Sequence, residues 1–536
     1  MKKIFVLFFC CFPFCLIGQS QGLDDQINDA FMPIALAWEN LILYPIQIGS
    51  YQIPIVLIIL ILGASTFTIY FKFINILKFP IAIKVVRGKF DDVEKLEEAK
   101  DSSNPLYFDG DNKETIRDES VHGEVNHFQA LATAVSGTVG LGNIALVAVA
   151  ISTGGPGATF WMIIAGFLGM SSKFVECTLG VKYRDIDKEG KVHGGPMYYL
   201  SRGMKEIGYS SFGKFLAILF AIMCVGASFG GGNAFQSNQA AAQIVGQFNL
   251  TGSSVGTLIG VILAIAVGIV IIGGIKRIAN VTEKVVPLMA GIYVLAALFI
   301  LIANYQYLDD AIGQIFAEAF TPRASITGGA IGVLILGFRR AAFSNEAGAG
   351  SAAIAHAAVN TKYPASEGLV GLLEPFIDTV VICSMTALVI IIFNMDNAFA
   401  YGIVENNNVT LIESQTQIGG VNLTSLAFES SIPGFSYVLT IAVILFAFST
   451  MLSWSYYGLQ SWKFLFGRSA ASDITYKIVF LVFTVLGAAI TLDAVIKFSD
   501  AMILALVFPN MIGLMFLFPK VREELERYLR AIKLIK

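Results

Sequence analysis

The chain of 536 residues is short of charge. Asp, Glu, Lys and Arg make up 14% of it, against roughly 25% in soluble globular domains. So little charge cannot cover the surface of a water-soluble fold of this size. Neither sign dominates, since the formal net charge is −3, and without a basic surface there is no case for nucleic acid as a partner. Histidine is scarce as well. The four residues His122, His127, His193 and His356 are scattered along the chain, so no nucleophile–base pair and no transition-metal cluster can be drawn, which speaks against an intramembrane enzyme. Of six cysteines, Cys10, Cys11 and Cys15 fall within the first twenty residues. Cys177, Cys224 and Cys383 lie in apolar runs without a loop partner and read as small core residues, not disulfides or metal ligands. There is no repeated filter of the kind a channel needs, and no repeat of 20–50 residues.

Apolar sequence is abundant: 55% of residues are hydrophobic, 51 are glycine, and the mean hydropathy is +0.70. Runs near the ~20 residues a bilayer requires occur at 53–75, 128–152, 157–181, 214–246, 254–273, 285–303, 325–345, 366–394, 434–460, 474–492 and 498–518. They predict an all-α polytopic protein with eleven transmembrane helices, whose partner is the lipid bilayer. Ahead of them, Lys2 and Lys3 precede an apolar stretch from Ile4 to Ile17, followed by Gly18-Gln19-Ser20. This is a signal-peptide pattern over 1–20, with an uncleaved anchor as the alternative, and either way the next segment starts outside. From that start, all but four of the 36 Lys and Arg fall on segments facing the cytoplasm. The exceptions are Lys2 and Lys3 in the leader and Arg323 and Lys497 on outward segments. Basic residues concentrate inside, so the reading is a multi-pass protein of the cell (inner) membrane, with its mature N-terminus outside and its C-terminus cytoplasmic.

The organisation follows. Residues 21–75 form an N-terminal segment with an extra helix, and 76–126 a charged cytoplasmic linker of solvated chain or short helices. Two five-helix repeats occupy 127–303 and 304–518, and 519–536 is a cytoplasmic tail. The outward loop 395–433, rich in Asn, Thr and Ser, is placed to cap the outer mouth. Five being odd, the two sets enter the membrane from opposite sides, as inverted repeats do. Both opening helices carry glycine clusters, "SGTVGLGN" in the first and "ITGGAIGVLILGF" in the second, where Gly328, Gly329 and Gly332 are expected to loosen the backbone. Glycine costs a helix about 1 kcal/mol relative to alanine. Paired interruptions of this kind point to a binding site at mid-membrane, where freed N–H and C=O groups meet a small ligand. Close packing is the competing reading for such glycines, and it is the one preferred for Gly155, Gly157 and Gly166.

The strings "TVGLGNIALVA", "STGGPGATFWM", "HGGPMYYL", "FSNEAGAGSAAIAHAA" and "EPFIDTVVICSMTAL" resemble the alanine/glycine:cation symporter family across roughly residues 120–520. The resemblance implies a 5+5 inverted-repeat fold like that of neurotransmitter:sodium symporters, and co-transport of sodium with a small amino acid. It implies a substrate site in which the amides of Leu141 and Gly142 take a carboxylate and the carbonyl of Thr138 takes an ammonium, with Gly140 in the same unwound stretch. Gln236 adds a polar side chain, with Asn233 a weaker candidate, and Trp454 limits the size of the substrate. Sodium would lie among Ser136, Val139, Phe446, Ser449 and Thr450. Asn143 either ligates a sodium or hydrogen-bonds the broken helix. These are oxygen donors without a carboxylate, which suits a monovalent cation. Gly142 is expected in a turn where a Cβ would crowd the ligand.

The chain departs from the family's commoner pattern at Leu141, where Thr is usual, at Leu146, where Gly is usual, and at Arg339. Glu374 and Asp378 stand i,i+4 within a span and must face protein or water. Ion pairing with Arg339, Arg340 or Lys173 is the expectation, proton coupling through Asp378 the alternative, and Glu176 is read as another bridge on the cytoplasmic side. Function is therefore expected to be sodium-coupled symport of alanine or glycine. Proton-coupled transport and an amino-acid sensor on a transporter fold are the rivals.

Overall fold

The computed structural model describes residues 22–94, 125–186, 191–272, 274–323 and 326–534. The leader expected over 1–20 and His122 lie outside the described residues. Among the described residues, apart from three two-stranded antiparallel sheets, the regular structure is helical. Among the described residues seven helices are long and apolar enough to cross a bilayer, or eight if a pair bent by 48°, His127–Thr138 and Gly142–Gly154, is one span. These coincide with eight of the expected runs. The runs at 53–75, 254–273 and 325–345 correspond to shorter helices, Ile55–Tyr70, Val255–Ile271 and Gly329–Asn345.

The N-terminal segment is more than a lead-in. Helix α1 (Leu23–Ile42) lies across the ends of other elements: Asp24 accepts the Gly256 amide at 3.0 Å, and Asn28 accepts the Thr491 hydroxyl at 2.8 Å. A hairpin, Pro45–Ile48 with Tyr51–Pro54, leads into α2 (Ile55–Tyr70). The described part of the expected linker, up to Glu94, folds into short helices, Phe79–Val86 and Asp91–Glu94, and buries Glu94.

The bent pair is α3 (His127–Thr138) and α4 (Val147–Gly154), followed by α5 (Gly157–Lys182). A capping box fixes the start of α3, Asn126 accepting the Gln129 amide at 2.8 Å and Gln129 accepting the Asn126 amide at 3.2 Å. Helices α6 (Ser210–Phe229) and α7 (Phe235–Phe248) run on through a π-helical turn, Gly230–Ala234. Later come α8 (Gly329–Asn345), the short α9 (Ala353–His356) and α10 (Pro364–Gly371). The long α11 (Phe435–Phe466), α12 (Leu492–Ala505) and α13 (Val507–Ala531) complete the frame. The loop 395–433, expected on the outer side, contains a helix, Gly420–Ser431, whose Thr424 donates to the Ile144 carbonyl at 2.9 Å and so braces the bent pair.

Candidate functional site

The site is built where helices stop. Helix α3 ends at Thr138, Val139 leaves helical geometry (ψ 85°), and the chain re-forms as a π-helical turn, Gly142–Leu146. Two other side chains take up the amides loosened there. Gly140 N donates to Asn143 Oδ1 at 3.0 Å, and Leu141 N donates to Gln236 Oε1 at 3.0 Å. Gln236 is itself anchored, its Nε2 donating to the Gly231 carbonyl at 2.9 Å. Asn143 therefore braces the break in this structure. Its Nδ2 also donates to Asp378 Oδ1 at 2.6 Å and to the Asp378 carbonyl at 3.1 Å.

Among the protein's own atoms the close approach is at Gly140. A Cβ on Gly140 would lie 2.4 Å from Thr450 Oγ1 and 3.0 Å from Gln236 Oε1, whereas one on Gly142 would meet Phe343 Cδ1 at 3.6 Å, an ordinary contact. Gly166 is the packing glycine it was read as, since its Cβ would press on the Thr379 side chain at 3.1 Å.

The second break also lies elsewhere than expected. Helix α8 runs unbroken from Gly329 to Asn345, and Gly328 stands at its start in the left-handed conformation (φ 81°). The chain leaves the helix at Glu346 (φ 55°), passes Gly348 and Gly350 at φ 90° and 82°, and resumes as α9. The glycines of "NEAGAG" make this break. Glu346, which sequence reasoning missed, is fully enclosed. Its carboxylate accepts the Trp454 indole N–H at 2.9 Å and the Ser351 hydroxyl. Trp454 thus ties α11 to the second break, and its ring lies against the backbone of Gly232, where any Cβ would overlap it. Phe343, at the end of α8, packs edge-on against Phe235 with ring centroids 5.3 Å apart.

The hydroxyls expected near sodium do come together. Thr450 Oγ1 donates to the Ser136 carbonyl at 2.9 Å, Ser136 Oγ to the Ser449 carbonyl at 2.8 Å, and Ser449 Oγ to the Phe446 carbonyl at 3.1 Å. Ser453 continues the seam, donating to the Thr133 carbonyl at 2.9 Å. Val139, buried, closes α3 three residues after Ser136. Thr138 bonds back to the carbonyls of Ala134 and Val135 at 3.3 and 3.4 Å. All twelve expected site residues are buried. Asn233, the weaker candidate, instead donates to the Phe480 carbonyl at 2.6 Å and accepts the Thr484 hydroxyl at 2.8 Å.

The charged groups divide. Glu374 pairs with Lys173 at 2.9 Å, both fully buried, as expected. Asp378 does not pair: among the described residues no basic side chain reaches it, and its carboxylate accepts from Asn143 and from the Thr379 hydroxyl at 2.7 Å. Arg339 instead binds Asp500 at 2.8 Å and Glu39 of α1 at 2.9 Å, and Arg340 shares Asp500. Glu176 is not a salt bridge either, since it accepts the Asn510 amide at 2.9 Å. The histidines are less scattered than the sequence suggests. His127 and His356 both bond to Glu367.

A profile described as the Sodium:alanine symporter family matches residues 107–535. The chain is similar to the sodium/alanine symporter AgcS of Methanococcus maripaludis, 40% identical over 402 residues, covering 75% of this chain and 83% of that one. It is also similar to two Bacillus subtilis proteins. One is described as a putative sodium/proton-dependent alanine carrier, YrbD, at 34% identity with 78% and 84% covered. The other is described as a probable sodium/glutamine symporter, GlnT, at 33% identity with 76% and 80% covered.

Proposed function

The chain belongs to the Sodium:alanine symporter family, and from that premise we propose that it carries alanine or glycine into the cell together with sodium, by alternating access. The observation that carries this reading is the bond from Leu141 N to Gln236 Oε1. An amide oxygen there occupies the place a substrate carboxylate oxygen would take, since both accept from the same N–H. In this reading the substrate's carboxylate displaces Gln236 from the Leu141 amide and also takes the Gly142 amide. Both sit at the start of a half-helix whose dipole favours an anion. The ammonium turns toward the Thr138 carbonyl. Trp454, held by Glu346, and Phe343 would restrict the substrate's side chain to a methyl group or a hydrogen.

Sodium enters between α3 and α11. There the hydroxyl of Thr450 and the carbonyl of Ser136 exchange their mutual hydrogen bond for the ion, and the carbonyl of Phe446 exchanges the bond it takes from the Ser449 hydroxyl, with Ser449 and Val139 completing the oxygen shell. Occupation of this seam fixes α3 against α11, and hence the break that meets the substrate. We read the ten helices after α2 as two inverted sets of five, with the C-terminal tail and the Glu94 side of the protein cytoplasmic. The basic residues concentrate on that side.

Proton coupling is the second reading, favoured by one observation: the Asp378 carboxylate is buried, has no cationic partner among the described residues and is bonded to the brace of the first break. Alanine binding by the purified protein in detergent tests the primary reading. Affinity should rise steeply with sodium and be unchanged when choline replaces potassium. Binding that ignores sodium but tightens with acid would favour the second reading.

A further inference from the structure

The inner halves of the two broken helices are α3 and α9, and each presents a histidine to the same carboxylate. His127, the first residue of α3, bonds through Nδ1 to Glu367 and through Nε2 to Glu94 Oε2 at 2.7 Å. His356, the last residue of α9, bonds through Nδ1 to Glu367 Oε1 at 2.5 Å, and its Nε2 faces Glu374 Oε2 at 3.6 Å. Glu367, on α10, is fully buried, and so are His356, Glu374 and Lys173. The chain of contacts ends outward at Glu94, which also accepts the Tyr528 hydroxyl of α13 at 2.6 Å and the Thr361 hydroxyl at 3.0 Å.

The remaining neighbours are Lys173 on Glu374, the Cys177 thiol beside His356, and Arg184, whose guanidinium donates to the Ala357 carbonyl at 2.9 Å just beyond α9.

Proton counting constrains this cluster. Three of the imidazole–carboxylate contacts are hydrogen bonds, and each needs a hydrogen. Two neutral imidazoles carry one N–H apiece, and an ionised carboxylate only accepts. At least one further proton therefore resides in the cluster, whichever atom holds it. His356 Nε2, 3.6 Å from Glu374 Oε2, has the Cys177 thiol beside it as well, and the count does not depend on that contact. We propose that Glu367 is a proton-loaded latch, a positioning residue that holds the inner halves of both broken helices together, so that loss of its protons releases them and opens the cytoplasmic side. This rests on reading the chain as an alternating-access carrier. Protons bound in the latched state and not in the released one stabilise the latch at low pH, and that stability is lost as pH rises. Alkaline cytoplasm therefore favours opening.

The test uses full-length protein in proteoliposomes carrying Leu131→Cys, which lies within α3 and outside the site. Its labelling by a membrane-impermeant maleimide from the Glu94 side is normalised at each pH to unfolded protein. Labelling should be slow in the otherwise unmodified chain at low pH and should climb as pH rises above about 6.5, the ordinary imidazole value. Glu367→Gln should raise it by about tenfold at neutral pH, the size of one charge-assisted hydrogen bond, and flatten the pH dependence. Glu367→Asp should restore protection and slope in part. His356→Asn removes one tether and should give an intermediate rate, which keeps the test decisive should Glu367→Gln fail to fold.

Equal labelling in the folded variants and the parent, or an unchanged pH slope, overturns the latch. Alanine uptake is measured on the same vesicles. Normal uptake with unchanged labelling rejects the latch alone, whereas a labelling contrast without any uptake rejects the carrier reading.

Discussion

The Thr450 hydroxyl on α11 donates a 2.9 Å hydrogen bond to the main-chain carbonyl of Ser136 on α3, joining residues 314 positions apart. The same two helices are stitched by Ser136 onto Ser449 and by Ser453 onto Thr133. An oxygen-lined seam of this kind can hold a small cation by exchanging internal hydrogen bonds for ion–oxygen contacts. It also registers α3, and hence the first break, against α11.

Thr450→Ala removes one of the three side-chain oxygens that cross this seam. A hydrogen bond to a charged group is worth ~1.5–3 kcal/mol, so the half-saturating sodium concentration for transport should rise about tenfold or more. Thr450→Ser should stay near the parent value. Sodium activation curves for the two variants check this, and an unchanged Thr450→Ala curve moves the ion elsewhere.

Gly140→Ala and Gly142→Ala should part company. At 140 the new methyl would lie 2.4 Å from Thr450 Oγ1, and overpacking of this kind costs about 1–3 kcal/mol. Substrate binding should fall by about tenfold or more. At 142 the contact is ordinary, and Gly142→Ala should bind alanine within about threefold of the parent. Titrations on both purified variants, with their melting temperatures, separate loss of the site from loss of the fold.

Much of this site was legible in the sequence, and the omissions have physical causes. "SGTVGLGN" advertises the first break because glycines and an amide residue interrupt an otherwise apolar span. The second break hides behind Asn345, Glu346 and Ala347, which look like the ordinary end of a helix. The glycines of "AGAG" were the available signal, and those at 328, 329 and 332 drew attention to the wrong end of α8. Glu374 and Asp378 looked like neighbours on one helix face. The π-helical stretch Phe376–Cys383 shifts the register between them, so Glu374 meets Lys173 while Asp378 meets Asn143. The histidine pair was not legible at all. His127 and His356 are brought to Glu367 only by tertiary packing of α3, α9 and α10.

Lys173→Met should leave Glu374 as a buried charge facing only His356. Breaking one side of a buried pair costs about 3–5 kcal/mol, whereas replacing both partners with apolar groups is often neutral. The melting temperature in detergent should therefore drop sharply for Lys173→Met and recover in large part for Lys173→Met combined with Glu374→Met. No recovery in the double variant would show that Glu374 is needed for more than the pair.

Asp378→Asn should keep transport sodium-driven, though slower. The asparagine oxygen can still accept from Asn143, so the brace survives at reduced strength. Initial rates under a sodium gradient alone, and under a pH gradient alone, give the comparison. If the parent concentrates alanine on a pH gradient without sodium and Asp378→Asn does not, the carboxylate is a proton carrier.

The central claim is sodium-driven movement of a small amino acid, and gradient-driven uptake tests it most directly. Purified protein in tight proteoliposomes is given labelled alanine with an inward sodium gradient and equal pH on both sides, then with an inward proton gradient and no sodium. Accumulation above equilibrium under the sodium gradient, abolished by a sodium ionophore and absent under the proton gradient, is the predicted result. Accumulation under the proton gradient alone, or mere equilibration under both, would contradict it.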